Sequence, residues 1–517
     1  MRHIIKCKQH QRSIRRSLYN ATALQSDVSR PNQSADSVNL DLEAARRNVR
    51  IVVIGAGLAG LSAAQHLLSH GFRRTVVLEA TERYGGRINS QRFGDTFCEL
   101  GAKWVPIDGS QDSTYELLRN VEGLGKRIKQ PERPEYVKVD HDNEQNKVNP
   151  AMVDLIDALF RQLCGGLKVP DKVKTGRDLH SLDNVMAYFK TESDRAIGLT
   201  FKPNEQHTAR AIFQSLFKEF SSVLGCCLEY VNIEHITSCP VQAYPSPIYV
   251  PTGLDNIVDE LTQNLGREQL QTGKPVGQIQ WTPSEVGEHN SVGCLDGSLY
   301  SADHIICTLP LGVLKNFAGI LFSPTLPQEK LMAIRNLGYG PGPVKIYLSY
   351  RRPISIWLRS NLRPLGALIN RVAERSWTQQ VVEITQVPSS QHVLEVRVGG
   401  GYYEEIEKLP DNQLLEHITK LLRKCISNHL VPYPNEMLRS SWTTSACYLG
   451  GRPYYSTSSS ARDVQRLAAP LGGKAPSLLF AGDATALHGF GTIDAARSSG
   501  IREAQRIIDY YNIKQYN

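Results

Sequence analysis

The 517-residue chain predicts an α/β fold: a Rossmann-like nucleotide-binding domain interleaved with a mixed α+β domain. Three observations predict it. An apolar run at 51–54 leads straight into Gly55-Ala56-Gly57-Leu58-Ala59-Gly60, an alanine- and leucine-rich stretch over 61–69, and a β-branched run at 75–78. That order is a βαβ unit, the building block of a parallel sheet. Short strand-like runs of similar type return far along the chain, at 302–308 and 477–480. The stretches between them have a different texture, so pieces of one domain enclose pieces of another. The expected division is a basic tail at 1–49, a first domain from 50–130, 251–325 and 441–517, and a second from 131–250 and 326–440.

Each element follows in order. Gly71 marks a turn before the second strand, which ends on Glu79. The middle is lower in glycine and predicts helices over 150–164 and 207–223. After Pro251-Thr252-Gly253 a helix over 254–265 leads into Lys274-Pro275-Val276. From about 326 to 440 strands dominate the pattern, at 344–350, 381–384 and 393–398. The chain closes with Ala481-Gly482-Asp483 and a helix from about 493 to 511.

Composition narrows the function. No run of about 18 apolar residues is present, so no transmembrane helix is expected. The net charge of +8 is concentrated in the tail: Arg2, Lys6, Lys8, Arg12, Arg15 and Arg16 precede any carboxylate, leaving +2 for the remainder. A near-neutral body argues against nucleic acid as a partner. The tail reads either as an unstructured extension of a cytoplasmic protein or as a mitochondrial import signal, being Arg-rich and acid-free at its start. The ten cysteines are scattered without metal spacing, so reduced thiols and no metal site are expected.

The glycine motif has a division of labour. Gly55 permits the tight turn, Gly57 lets backbone approach a pyrophosphate, and Gly60 lets helix pack on strand. The helix N-terminus offers unpaired N–H groups to phosphate, and Glu79, 19 residues after Gly60, suits ribose hydroxyls. Gly85-Gly86-Arg87 supplies a second backbone approach with a cation, which a plain NAD site does not need.

Glu99-Leu100-Gly101-Ala102-Lys103-Trp104, Thr308-Leu309-Pro310-Leu311-Gly312, Phe480-Ala481-Gly482-Asp483 and Thr492-Ile493-Asp494 complete a set. Together they resemble the flavin-containing amine oxidases, within them the polyamine oxidases acting on spermine or acetylated polyamines. The resemblance spans about 49–509 and is thinnest at 110–240 and 355–440. It implies FAD, held without a covalent bond, contacted by Gly55, Gly57, Gly60, Glu79, Arg87, Gly101, Ala102, Val276, Gly482, Asp483, Thr492 and Ile493. Asp483 takes the position that meets the ribityl chain, often Glu in the family. The N–H groups of Thr492 and Ile493 face the negative charge of reduced flavin.

The resemblance also implies a reaction: a secondary amine goes to an imine, which is hydrolysed, and O2 is reduced to H2O2. Lys345, on the polar side of the strand at 344–350, matches the lysine that holds a water at the flavin. Trp442, after Arg439-Ser440-Ser441, and Trp104 supply aromatic walls. Where relatives read Gly-Ser-Tyr-Ser, this chain reads Gly450-Gly451-Arg452-Pro453-Tyr454-Tyr455-Ser456. Counting without a gap puts Arg452 beside the flavin; a short insertion puts Tyr454 there, and Tyr454 is the expectation. Cys447-Tyr448 resembles the flavin-bonded cysteine segment of monoamine oxidases, but its offset from Trp442 is too short for that role.

The family continues Trp-Ile-His-Gly, whereas this chain reads Trp104-Val105-Pro106-Ile107-Asp108-Gly109. The histidine is missing, and Asp108 and Glu234 are the candidate carboxylates for a cationic amine. A monomer or weak dimer is expected. The rival readings are a monoamine oxidase or demethylase of the same superfamily, a flavoprotein that binds FAD without amine turnover, and a plain Rossmann NAD enzyme, against which Gly85-Gly86-Arg87 and the C-terminal motif argue.

Overall fold

In the computed structural model, residues 44, 46–105, 114–119, 134–139, 147–167, 184–234, 248–282, 290–365, 376–399, 401 and 403–513 are described. Five strands form a parallel sheet in the spatial order Leu478–Phe480, His304–Cys307, Arg50–Ile54, Arg74–Leu78, Leu270–Gln271. The first strand of the chain is central. Ile51 and Val53 enter one apolar core while Val52 and Ile54 enter another, which is why the run is continuously apolar rather than alternating.

On one face lie the helices Leu58–Ser69 and Ile493–Ile513, which share a core through Leu61, Leu67, Ala504 and Ile507. They cross so closely that a Cβ at Gly500 would lie 2.0 Å from the Ala59 carbonyl oxygen. The other face packs against the helix Leu311–Leu321 and a four-stranded sheet that includes Val276–Gln280. The two-residue strand Leu270–Gln271 is too short to carry a periodic signal, so the sequence does not announce it.

A second sheet has six strands in the order Glu436–Arg439, Val344–Ser349, Val393–Val398, Val381–Gln386, Leu362–Leu365, Glu135–Lys138. It is antiparallel except for its last pair. One face buries Ile346, Leu348, Val396 and Val398 against the helices Tyr403–Lys408 and Asp411–Ile426. The second of these lies inside the stretch expected to be strand-rich; its Leu414, Ile418, Leu421 and Cys425 recur at helical spacing. The expected helices at 150–164 and 207–223 extend to Pro150–Leu167 and Gln206–Leu224. They meet the helix Val185–Thr200 through an aromatic cluster in which Phe189 and Phe217 stack at 5.1 Å. Among the described residues no helix is long and apolar enough to cross a membrane, and eight cysteines are free thiols.

Candidate active site

A cavity of about 1020 Å³ runs from the C-terminal ends of the parallel strands to the polar face of the six-stranded sheet. At its nucleotide-type end two helix N-termini open onto it, through Gly57 and Leu58 and through Thr492 and Ile493. Gly57 precedes its helix with no side-chain cap, so the first N–H groups stay available to an anion. Gly55 has φ +100°, and a Cβ there would lie 2.6 Å from Thr308 Oγ1. A Cβ at Gly60 would lie 2.0 Å from the Gly55 carbonyl oxygen; Gly60 therefore serves packing and does not itself line the cavity. At Gly57 the nearest atom to a Cβ is 3.9 Å away, so the space it leaves belongs to the cavity.

Glu79 lines the same end and is 9 % exposed. Its carboxylate accepts the Ala56 N–H at 2.9 Å and the Thr81 N–H at 3.0 Å, which locks it at the strand end. Arg87 reaches across to Asp483 with a paired contact at 2.8 and 2.6 Å, and donates to the Gly451 carbonyl at 2.8 Å. Burial opposes the guanidinium charge, but Asp483 restores it, and the pKa is held above its ordinary value. Gly482, with φ +128° and nothing within 4 Å of a Cβ, leaves the approach to Asp483 open. Val276 lines the cavity at the start of its strand. This set suits an extended dinucleotide: uncapped N–H groups for phosphate, a fixed carboxylate for ribose, and a paired acid further on.

At the other end the lysine is not on a solvated face. Lys345 is 4 % exposed, and its ammonium donates to the Glu99 carbonyl at 2.9 Å and to the Gly101 carbonyl. Tyr347 Oη donates to the same Glu99 carbonyl at 2.8 Å, and Trp442 Nε1 to the Leu100 carbonyl at 3.2 Å. Three consecutive carbonyls are thus held by three side chains. Gly101 has no alternative there, since a Cβ would lie 1.8 Å from the Arg87 carbonyl oxygen, to which Ala102 donates at 3.1 Å. Burial pulls the Lys345 pKa below its ordinary value, and burial pushes the nearby Glu99 carboxyl up.

Trp442 is positioned by a residue that sequence reading missed. The Glu407 carboxylate accepts the N–H groups of Trp442 at 3.0 Å, Thr443 at 3.0 Å and Thr444 at 2.9 Å. Glu407→Gln is expected to lower the unfolding free energy by about 2 kcal/mol, as charge-assisted bonds become weaker ones. Chemical denaturation followed by tryptophan fluorescence checks it.

The remaining candidates separate. Trp104 lines the cavity and is 39 % exposed, with Tyr249 at 5.8 Å between ring centroids. Tyr454 lies outside the cavity lining, against the three-helix cluster and over Gly338, where a Cβ would lie 2.4 Å from its ring. Arg452, the residue reached by counting without a gap, lines the cavity instead and donates to the Val223 carbonyl at 2.5 Å. The Arg452–Tyr454 strand pairs directly with Gly338–Gly340, Tyr454 opposite Gly338 and Arg452 opposite Gly340, and Tyr454 then packs on the helices while Arg452 meets the cavity. Glu234 is exposed and does not line the cavity; Asp108 lies outside the described residues. Cys447 lines the cavity on the Glu79 side, its thiol pKa raised by burial and by that carboxylate.

Also missed were the charged residues facing Lys345. Glu395 and Arg397 alternate with valines on the strand Val393–Val398, the same pattern as Lys345 and Tyr347. Lys103 forms an ion pair with Glu395, and Arg397 bonds Glu383 at 2.6 Å. Glu219 meets Arg363 at 2.6 Å and Arg397 at 3.8 Å. An alternating charged face on an otherwise apolar strand was the available signal.

The family description "Flavin containing amine oxidoreductase" matches residues 58–508. The chain belongs to the flavin-containing amine oxidoreductases. Within this family it is 74 % identical over 502 residues to "Protein anon-37Cs" of Drosophila melanogaster, covering 96 % of this chain and 97 % of that protein. It is 29 % identical to a bovine (Bos taurus) "Peroxisomal N(1)-acetyl-spermine/spermidine oxidase", covering 91 % and 96 %. Among solved structures it is similar to wild-type putrescine oxidase bound to putrescine, with a TM-score of 0.67 at 18 % identity, covering 89 % and 99 %. The α/β fold of this amine oxidoreductase is that of its structural neighbours. The family implies a flavin as cofactor, with an amine and O2 as reactants.

Proposed function

We propose that this chain is an FAD-dependent amine oxidase whose substrate is a polyamine, spermine or an acetylated polyamine, giving an imine and then an aldehyde and amine, with H2O2 from O2. The observation that carries the reading is one cavity joining the Gly57 turn, Glu79 and the Arg87–Asp483 pair to a buried Lys345. Bound FAD would supply the two-electron acceptor. Glu79 would hold its ribose, the N–H groups at Gly57 and Leu58 its pyrophosphate, and Asp483 its polyol chain. Thr492 and Ile493 would present the helix dipole to negative charge at the reacting end. Trp104 and Trp442 exclude water on the amine side, so that the substrate enters neutral. Lys345, with two donors committed to carbonyls, keeps a third to fix one water. We also assign the parallel sheet and the six-stranded sheet to separate cofactor and substrate domains, the binding of FAD to non-covalent contacts, and the location to the cytoplasm, with mitochondrial import through residues 1–49 as the alternative.

A second reading, a flavoprotein without amine turnover, is favoured by Arg452 at the cavity wall in place of an aromatic side chain. One experiment decides. The purified protein is expected to show a flavin spectrum and to bleach anaerobically with spermine or N-acetylspermine. A yellow protein that no amine bleaches supports the second reading, and a colourless one without extractable FAD ends both.

A further inference from the structure

We infer that Glu395, Trp104 and Tyr249 form an ammonium-binding subsite that the protein fills with its own Lys103, so that the cavity favours amines uncharged at this wall. The inference rests on the amine-oxidase reading of the same cavity and narrows its substrate.

Lys103 and Glu395 both line the cavity and are ion-paired, with side chains only 15 % and 4 % exposed. The ammonium lies 5.5 Å from the Trp104 ring centroid and 6.0 Å from that of Tyr249. Tyr249 Oη is held against Ser389 at 3.2 Å, and Glu395 sits opposite Tyr347 in the six-stranded sheet. Glu395 and Tyr249 are therefore fixed by elements other than the one carrying Lys103, and Trp104, its neighbour in the chain, is held by strand pairing with Tyr249. A buried carboxylate beside two aromatic rings is chemistry that recognises an ammonium, whichever molecule supplies it. Burial disfavours the Glu395 charge, but Lys103 and then Lys345 keep its pKa below the ordinary carboxylate value.

The neighbouring carboxylates are matched as well. Glu383 pairs with Arg397, and Glu219 with Arg363 and Arg397. Among the described residues, each glutamate lining this end already has a cation. A tethered lysine competes at high effective concentration, so a free polyamine must displace Lys103 or leave an ammonium facing it. A monoamine, or a polyamine acylated at the end that meets this wall, does neither.

The test compares FAD-loaded wild type with Lys103→Met and Lys103→Gln. Anaerobic calorimetry is expected to show spermine binding at least tenfold tighter in Lys103→Met, with butylamine changed by less than about threefold, a tenfold change corresponding to about 1.4 kcal/mol. Methylammonium is expected to raise the thermal midpoint of Lys103→Met by roughly 3 °C more than that of wild type, because it re-pairs Glu395. Lys103→Gln, which keeps a hydrogen-bond donor, gives the same direction of change in spermine affinity if the Met variant does not fold. Spermine affinity unchanged or weakened in the folded variants overturns the subsite. Turnover is scored separately. Flavin that no amine reduces in any of the three proteins sinks the amine-oxidase reading, and the affinities still decide the subsite.

Discussion

Lys345→Met is expected to retain FAD and to lose roughly two orders of magnitude in kcat, the scale of a positioned proton-transfer group. The Lys345 ammonium bonds the Glu99 and Gly101 carbonyls and not Glu79, Arg87 or Asp483, so cofactor content is expected to stay near one per chain. Burial holds the ammonium pKa at about 8, below that of an exposed lysine. Deprotonation on the alkaline side of that value removes the third N–H donor that fixes the water, so kcat/KM of the wild type should fall as pH rises through it. In Lys345→Met that limb disappears, while a limb due to the substrate's own amine remains. Stopped-flow reduction and reoxidation across pH 6–10 separate the two half-reactions; an unchanged profile would remove Lys345 from the site.

Gly57→Ala is expected to abolish FAD binding while leaving the fold nearly as stable. Gly57 has φ −78° and ψ 178°, which alanine adopts without strain. The nearest protein atom to the new Cβ is 3.9 Å away, so the stability change should stay within about 1 kcal/mol. The methyl would instead occupy the path along which a pyrophosphate meets the helix N-terminus. Gly60→Ala is the contrast, because its Cβ would lie 2.0 Å from a carbonyl oxygen and the loss is one of folding. A folded, colourless Gly57→Ala protein supports the phosphate role, and one that binds FAD normally would refute it.

The nucleotide-type half was legible because its chemistry is local. Gly55, Gly57 and Gly60 lie within one turn, Glu79 ends the next strand, and the strand at 50–54 is apolar on both faces. The Lys345 end is assembled from strands that meet only in the tertiary structure. Glu395 reaches Lys103 across 292 positions of sequence, and no local pattern announces such a pair. Tyr454 illustrates the same limit: its distance from the cavity depends on the register between Arg452–Tyr454 and Gly338–Gly340. Glu407 was silent for another reason, since a carboxylate that binds backbone N–H groups has no sequence partner to pattern with.

The crossing of the first and last helices, where Gly500 meets Ala59, bears on how the protein matures. The strand Arg50–Ile54 leaves the ribosome hundreds of residues before the helix Ile493–Ile513 that covers it. Until that helix docks, Leu61 and Leu67 lack their partners and the cavity lacks the Thr492–Ile493 wall. Cofactor capture is therefore expected to wait for that helix, and a nascent chain stalled before residue 490 should carry no flavin however much of its parallel sheet has formed.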